Sequence, residues 1–166
     1  MSTRAIQWLR RQRINFAVVA YNHRVKGAVF AAQATGYPLA RTVKTLVIDL
    51  GEGSFGLALM PGDRQLALKK LARVLDVKKA ALADARGAER LTGYHVGGIS
   101  PFGIRRPLVV AMEASLMAHA RVLVNGGQRG VMLEMRPRDI AAGLNCRMGD
   151  LLAESVRQPD GKARSR

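Results

Sequence analysis

The 166-residue chain carries 27 lysines and arginines against 12 acidic residues, a net charge of +15 at pH 7, and has no Asp or Glu before Asp49. That length suffices for one domain with its own core, and the charge points to a polyanionic partner, nucleic acid above all. Aromatic residues make up 5% of the chain, too few for a single-strand binder that stacks successive bases, and no apolar run approaches the roughly eighteen residues of a membrane span.

Ser2 or Thr3 can cap a helix reaching about Gln12, with Ile6 and Leu9 on one face and Arg4, Arg10 and Arg11 mostly outside. Ile14 to Tyr21 reads as a strand, and Gly27 to Thr35 as a short Ala-rich helix stopped by Gly36 and Pro38. Val43 to Leu50 is the clearest strand. Gly51 to Ser54 turns the chain, and Phe55 to Met60 returns as a hairpin arm ended by Pro61-Gly62-Asp63. Leucines at near-helical spacing between paired basic residues predict a helix over Arg64 to Leu75. Another runs over Asp84 to Leu91, capped by Asp84 and closed by Gly93.

A glycine-rich stretch from Thr92 to Gly103 follows. Pro107 to Met112 is then a strand, Ala114 to Ala118 a helical turn, and Val122 to Asn125 a strand. Gly126 to Gly130 is a tight turn and Val131 to Met135 the arm that pairs back. Asp139 to Leu144 begins a last helix that runs, with a break, toward Glu154. Residues 1–155 form the expected domain, and residues 156–166 a polar basic tail expected to be disordered. Hairpins outnumber crossovers, which predicts an α+β fold: a compact single domain with a curved, barrel-like mixed sheet flanked by helices.

Several motifs fail on their context. Gly51-Glu52-Gly53-Ser54-Phe55-Gly56 spells a dinucleotide fingerprint, but a strand follows where a helix must open, so it reads as a hairpin turn. Ser100 sits in a sequence that begins like a nucleophile elbow, yet the closing glycine is missing and Pro101 has no N–H to donate. The lone Cys146 cannot form an intrachain disulfide, which suits a reducing cytoplasm, and His23, His95 and His119 lack metal-ligand spacing. Neither a metal nor another cofactor is expected, nor a secretion signal or membrane association.

Two features suit a binding site. Gly97 and Gly98 have no Cβ to keep a ligand from backbone N–H groups. Lys44 lies near the start of a strand where alternation puts it on one face with Leu46 and Ile48. A lysine there can simply snorkel to solvent; it can equally be a cation at a pocket mouth that meets a carbonyl, carboxylate or phosphate.

Val43-Lys44-Thr45-Leu46, then Thr92-Gly93-Tyr94 leading into Val96-Gly97-Gly98-Ile99-Ser100-Pro101, then Gly126-Gly127-Gln128-Arg129-Gly130, resembles the YbaK family of aminoacyl-tRNA deacylases. That family is related to the editing domain inserted in bacterial prolyl-tRNA synthetases. The resemblance runs from the first helix to about Leu152, and Tyr21, His23, Phe30 and Leu68-Lys69-Lys70 also fit it. It implies a compact α+β domain with a barrel-like mixed sheet, and cleavage of the ester between a wrong amino acid, of the Cys-tRNA(Pro) type or a related small one, and its tRNA. It further implies trans editing in the cytoplasm without a cofactor, on the tRNA acceptor end, with prolyl-tRNA synthetase as an implied partner.

By the same resemblance Lys44 takes the place of the family's essential lysine, and Tyr21, Phe30, Thr45, Gly97, Gly98, Ile99, Ser100, Pro101, Gly126 and Gly127 form the substrate site. An ammonium at Lys44 can anchor the terminal phosphate or polarise the ester carbonyl, while N–H groups from Gly97 to Ile99 support the oxyanion. In cysteine-specific members the substrate's own thiol is thought to attack. Basic residues on the first helix and on the Arg64 to Leu75 helix are then expected to hold acceptor-stem phosphates.

The chain departs from the family pattern in two places. Gly130-Val131-Met132-Leu133-Glu134 stands where a Gly-Leu-Asp-Ile-Glu arrangement is frequent, and Met132 cannot accept a hydrogen bond from an amine as a carboxylate would. Glu134, on the same strand face, can be a partial substitute or an ordinary hairpin carboxylate. Arg24-Val25-Lys26-Gly27 replaces an acidic, proline-containing stretch. Two classes fit these residues: a free-standing deacylase, and a catalytically silent RNA-binding or regulatory module on the same fold.

Overall fold

The computed structural model describes residues 2–22, 32 and 34–154. Within them, helix α1 spans Arg4–Arg11, strand β1 Ala17–Ala20, β2 Thr42–Gly51 and β3 Ser54–Pro61. Helix α2 spans Leu68–Leu75, β4 Ala81–Leu82, α3 Ala85–Thr92 and β5 Val109–Glu113. Then come β6 Val122–Gln128, β7 Val131–Met135, α4 Pro137–Gly143 and β8 Arg147–Gly149. One mixed sheet runs in the order β1-β7-β6-β2-β3-β5-β8, with β4 pairing the far end of β2. The expected α+β class with a mixed sheet is the observed one.

Side-chain alternation divides the core. Val43, Val47, Leu57, Leu59, Val110, Val124 and Leu133 meet α1, α3 and α4 on one face. On the other face Ile48, Ala58, Met60 and Ala111 meet Leu71 and Leu75 of α2, while Leu123 and Met132 gather Val19, Tyr21 and Tyr37. Lys44 pairs across from Met60, which puts it on this second face between the two smaller clusters.

Local signals explain most boundaries. Thr3 caps α1, its hydroxyl accepting from Ile6 N–H at 3.1 Å and donating to the Gly126 carbonyl at 2.5 Å, which ties the helix start to β6. Asp84 caps α3 through Gly87 N–H, and Gly93, at φ +77°, ends it in the left-handed region that glycine adopts without strain. The Gly51 to Gly56 stretch is the turn and start of the β2–β3 hairpin.

Five expectations need correction. Arg64 to Ala67 is not helical: Ala67 N–H donates to Leu151 and Leu66 bridges Leu152, so this segment pairs with the distant 151–153 segment before α2 begins. The chain after α4 does not continue as a helix but forms β8, parallel to β5. Gly126 to Gln128 extends β6 through a bulge instead of belonging wholly to the turn. Arg4 does not point away: its guanidinium donates to the Thr92 carbonyl at 2.8 Å and lies 4.9 Å from the Tyr94 ring centre. The strand read over Ile14 to Tyr21 is limited to Ala17–Ala20. The helix read from Gly27, and the tail over 156–166, lie mostly or wholly outside the described residues.

Candidate functional site

Strands β2 and β6 run parallel but pair only over Thr42–Val43 and Leu123–Val124. Beyond that ladder they part, and a crevice opens between the first residues of β2 and the middle of β6. It is a cavity of about 170 Å³, smaller than the roughly 300–1,000 Å³ of clefts for drug-sized ligands. Thr42, Val43, Lys44 and Thr45 contribute from β2, and Asn125 from β6. Met132 adds a wall from β7, Tyr21 closes from the end of β1, and Val96, Gly97 and Ile99 cover it from the glycine-rich loop.

Lys44 is half-buried, and burial holds its pKa below the ordinary lysine value, with the charge of Asp63 partly opposing the shift. Among the described residues the ion pairs are Lys70–Asp150 and His95–Glu89, so Lys44 has none. Beside it Thr45 Oγ1 is the one buried side-chain oxygen or nitrogen among the described residues that lacks a hydrogen-bond partner. An orphaned buried hydroxyl costs about 1–3 kcal/mol, and Thr45 is one of the residues that line this cavity.

The loop over this cavity is fixed from three sides. His95 to Gly98 is a turn closed by Gly98 N–H on the His95 carbonyl at 2.8 Å, with Gly97 at φ +93° in the third position, where a type II turn calls for glycine. Glu89 of α3 accepts from Val96 N–H at 3.0 Å. Arg129, in the β6–β7 turn, donates through Nε and Nη2 to the Val96 carbonyl at 3.3 and 3.1 Å. Asn125 Nδ2 donates to the Gly97 carbonyl at 3.1 Å while Asn125 Oδ1 accepts from Gly127 N–H at 2.8 Å. In a trans peptide the N–H points opposite to the C=O, so Arg129 turns the Gly97 N–H away from the hairpin. Neither Gly97 N–H nor Ile99 N–H has an acceptor among the described residues.

The structure thus brings Tyr21, Lys44, Thr45, Gly97 and Ile99 to one cavity. It leaves the other expected site residues off it. Gly98 spends its N–H on the turn, and a Cβ there would sit 3.1 Å from backbone atoms of Gln128 and Arg129, so this glycine allows loop and hairpin to approach. Ser100 is fully buried and its Oγ accepts from Phe102 N–H at 3.3 Å. Pro101 is buried and borders a separate cavity with Trp8 and Arg106. Gly126 packs on Val131, and Gly127, at φ +97°, leaves room for the Tyr94 ring. Phe30 and His23 lie outside the described residues.

Tyr94 closes the base of the loop by donating its hydroxyl to the Phe102 carbonyl at 2.5 Å, and burial pushes its pKa up to about 12. Asn125 and Arg129 were not expected at the site. An Asn directly before a glycine pair is a signal for a side chain that bonds backbone two residues on, and could have flagged Asn125. Nothing local announces Arg129. Among the described residues no group of three or more His, Cys, Asp or Glu gathers as metal ligands, and no helix is long and apolar enough to cross a membrane.

The sequence profile of the aminoacyl-tRNA editing domain matches residues 22–142, and the chain belongs to that family. It is 29% identical over 120 residues to an Enterococcus faecalis protein named "Putative Cys-tRNA(Pro)/Cys-tRNA(Cys) deacylase EbsC", with 72% of this chain and 73% of that one covered. To the proline–tRNA ligase of Trichlorobacter lovleyi it is 31% identical over 97 residues, which is 58% of this chain but 17% of the ligase. A crystal structure described as "a putative trans-editing enzyme for prolyl tRNA synthetase" superposes with a TM-score of 0.83 at 26% identity, covering 93% of this chain and 99% of the other. The resemblance read from the sequence therefore holds at the level of family and fold.

Proposed function

We propose that this chain is a free-standing deacylase that cleaves the ester of a mischarged tRNA, of the Cys-tRNA(Pro) type or a related small aminoacyl group, at the cavity around Lys44. The observation that carries this reading is a half-buried lysine with no ion-pair partner among the described residues, on a small cavity that Thr45, whose hydroxyl has no hydrogen-bond partner among them, also lines. Hydrolysis adds water to the ester carbonyl, develops negative charge on its oxygen, and breaks the bond to the ribose oxygen, which leaves with a proton. The Lys44 ammonium suits either that developing charge or the adjacent phosphate, and Gly97 N–H is a second donor. The ester is already activated, so positioning of water or of a substrate group suffices without a protein nucleophile.

The tRNA backbone has basic surface to meet. Arg10 and Arg11 of α1 are exposed, and a wider cleft of about 460 Å³ between α2 and β4 presents Lys69, Lys78 and Lys79. Contacts of this kind hold phosphates without reading bases. A panel of mischarged tRNAs incubated with the protein tests the reading: hydrolysis of at least one, well above the uncatalysed rate, is expected. Tight tRNA binding with no hydrolysis across the panel would identify the silent RNA-binding module instead. Prolyl-tRNA synthetase is the proposed partner, and its addition to the same assay measures whether it accelerates hydrolysis.

A further inference from the structure

Among the described residues, the cavity around Lys44 is lined by one cation and no carboxylate. Its polar side chains are Lys44, Thr42, Thr45, Asn125 and Tyr21, and the remainder of its wall includes Met132, itself 3% exposed. Asp63, Glu134 and Glu89 do not line it. Asp63, beyond β3, acts on Lys44 without lining the cavity. Glu134, two residues after Met132 on β7, lies near the Tyr37 hydroxyl, whose pKa is raised by burial and also by the Glu134 charge. Glu89 lies on the loop's other side, bound to Val96 N–H and His95. Residues 23–33 include His23, Arg24 and Lys26 and contain no Asp or Glu, so that segment has no carboxylate to offer.

An aminoacyl ester carries an α-amine next to the carbonyl that must react. Protonated, that amine is a compact, strongly hydrated cation; in this cavity it would shed water beside a second ammonium, with no lining carboxylate among the described residues to compensate. Thr45 Oγ1 and the carbonyl of Asn125's side chain offer neutral acceptors at most, and the latter already accepts from Gly127 N–H. We infer that the site takes an acyl group whose α-substituent is uncharged: a 2-hydroxyacyl or N-acylated aminoacyl ester directly, and a free aminoacyl ester only as its neutral amine. This rests on the cavity being the acyl site of the proposed deacylase, and it adds the charge state of the group that enters.

The probes are 3′-amino-3′-deoxyadenosine acylated with L-lactic acid or with L-alanine, which match in shape and differ in the hydroxyl or amine, and whose amide bond resists cleavage. Calorimetry near pH 6, about two units below the ordinary α-amino pKa of roughly 7.7–8.0, compares them with the alanyl amine charged. The lactyl compound is expected to bind at least tenfold more tightly. Met132→Asp, which supplies a carboxylate, should reverse the order, while Met132→Leu and Glu134→Gln should keep it. Equal or tighter binding of the alanyl compound by the wild-type protein, a lost preference in Glu134→Gln, or no binding of either compound overturns the inference. Lactyl and alanyl esters on tRNA, each normalised to its uncatalysed rate, form the second arm. Selective binding of the amides with neither ester hydrolysed would leave this inference standing and remove the deacylase reading.

Discussion

Removing Arg129 isolates the link between the hairpin and the loop over the cavity. Its two hydrogen bonds hold one carbonyl, that of Val96, and thereby the direction of the Gly97 N–H on the other edge of the same peptide. Arg129→Ala leaves the Glu89 bond to Val96 N–H and the Asn125 bond to the Gly97 carbonyl in place, so the loop loosens without collapsing. A hydrogen bond from a charged group contributes about 1.5–3 kcal/mol, and the part-exposed setting puts this contact at the low end. At about 2–4 °C per kcal/mol for a domain of this size, Tm should fall by roughly 3–6 °C. The rate should fall further. Loss of one oxyanion donor costs about 10²–10³ in kcat, and here the donor is misdirected instead of deleted, so a decrease of roughly 10–100-fold is expected.

The assay is single-turnover deacylation with enzyme in excess, at a temperature where wild type and variant are both fully folded, alongside the affinity for uncharged tRNA. The affinity should stay within about twofold, because one surface cation among many contributes little to phosphate binding. An unchanged rate per folded molecule with the expected drop in Tm would make the Arg129 contact structural and refute the role given to Gly97 N–H. Arg129→Lys should recover part of the rate, since one ammonium can reach the carbonyl but cannot span it with two donors.

Three further outcomes follow from individual contacts. Gly98→Ala should lower Tm by about 2–12 °C, because its Cβ meets Gln128 and Arg129 backbone at 3.1 Å and overpacking of this kind costs about 1–3 kcal/mol; an unaltered melt by calorimetry would contradict the tight approach. Burial lowers the Lys44 pKa, so between that lowered value and the ordinary lysine range the unfolded chain holds a proton the folded chain does not, stability rises with pH across that window, and below it the buried charge is a steady cost. Lys44→Met should therefore melt higher than wild type at neutral pH and lose the alkaline gain, which melts from pH 7 to 11 measure. Ser100→Ala should retain the wild-type single-turnover rate, since its hydroxyl is buried against Phe102 N–H; a hundredfold loss would restore Ser100 as a reacting group.

What the sequence made legible follows the range over which its signals act. The β2–β3 hairpin, the cap at Asp84 and the stop at Gly93 are decided by neighbours a few residues apart, and each was readable. Strand β8 has three residues and no alternation to detect, and it exists because β5 offers a parallel edge. Leu66 carried a helical spacing but pairs with Leu152, a partner that no local window contains. At the site, Lys44 stood out because a cation interrupts an otherwise apolar strand. The glycines were legible as glycines but not in their purpose: Gly98 and Gly127 make room for Gln128 and Tyr94, and those approaches come from packing between distant segments. The crevice itself comes from the parting of β2 and β6 after a two-residue ladder, a property of strand register.

The central claim is that the cavity holding Lys44 is where the ester is cleaved. Its most direct test is the single-turnover rate of Lys44→Ala on the mischarged tRNA that the wild-type protein hydrolyses best, measured beside its circular dichroism and its affinity for the uncharged tRNA. The account predicts hydrolysis reduced by about a hundredfold or more, the scale of losing a principal donor to the developing charge, in a protein that remains folded and binds tRNA nearly as before. Wild-type turnover by Lys44→Ala would contradict it and move the chemistry to another part of the molecule.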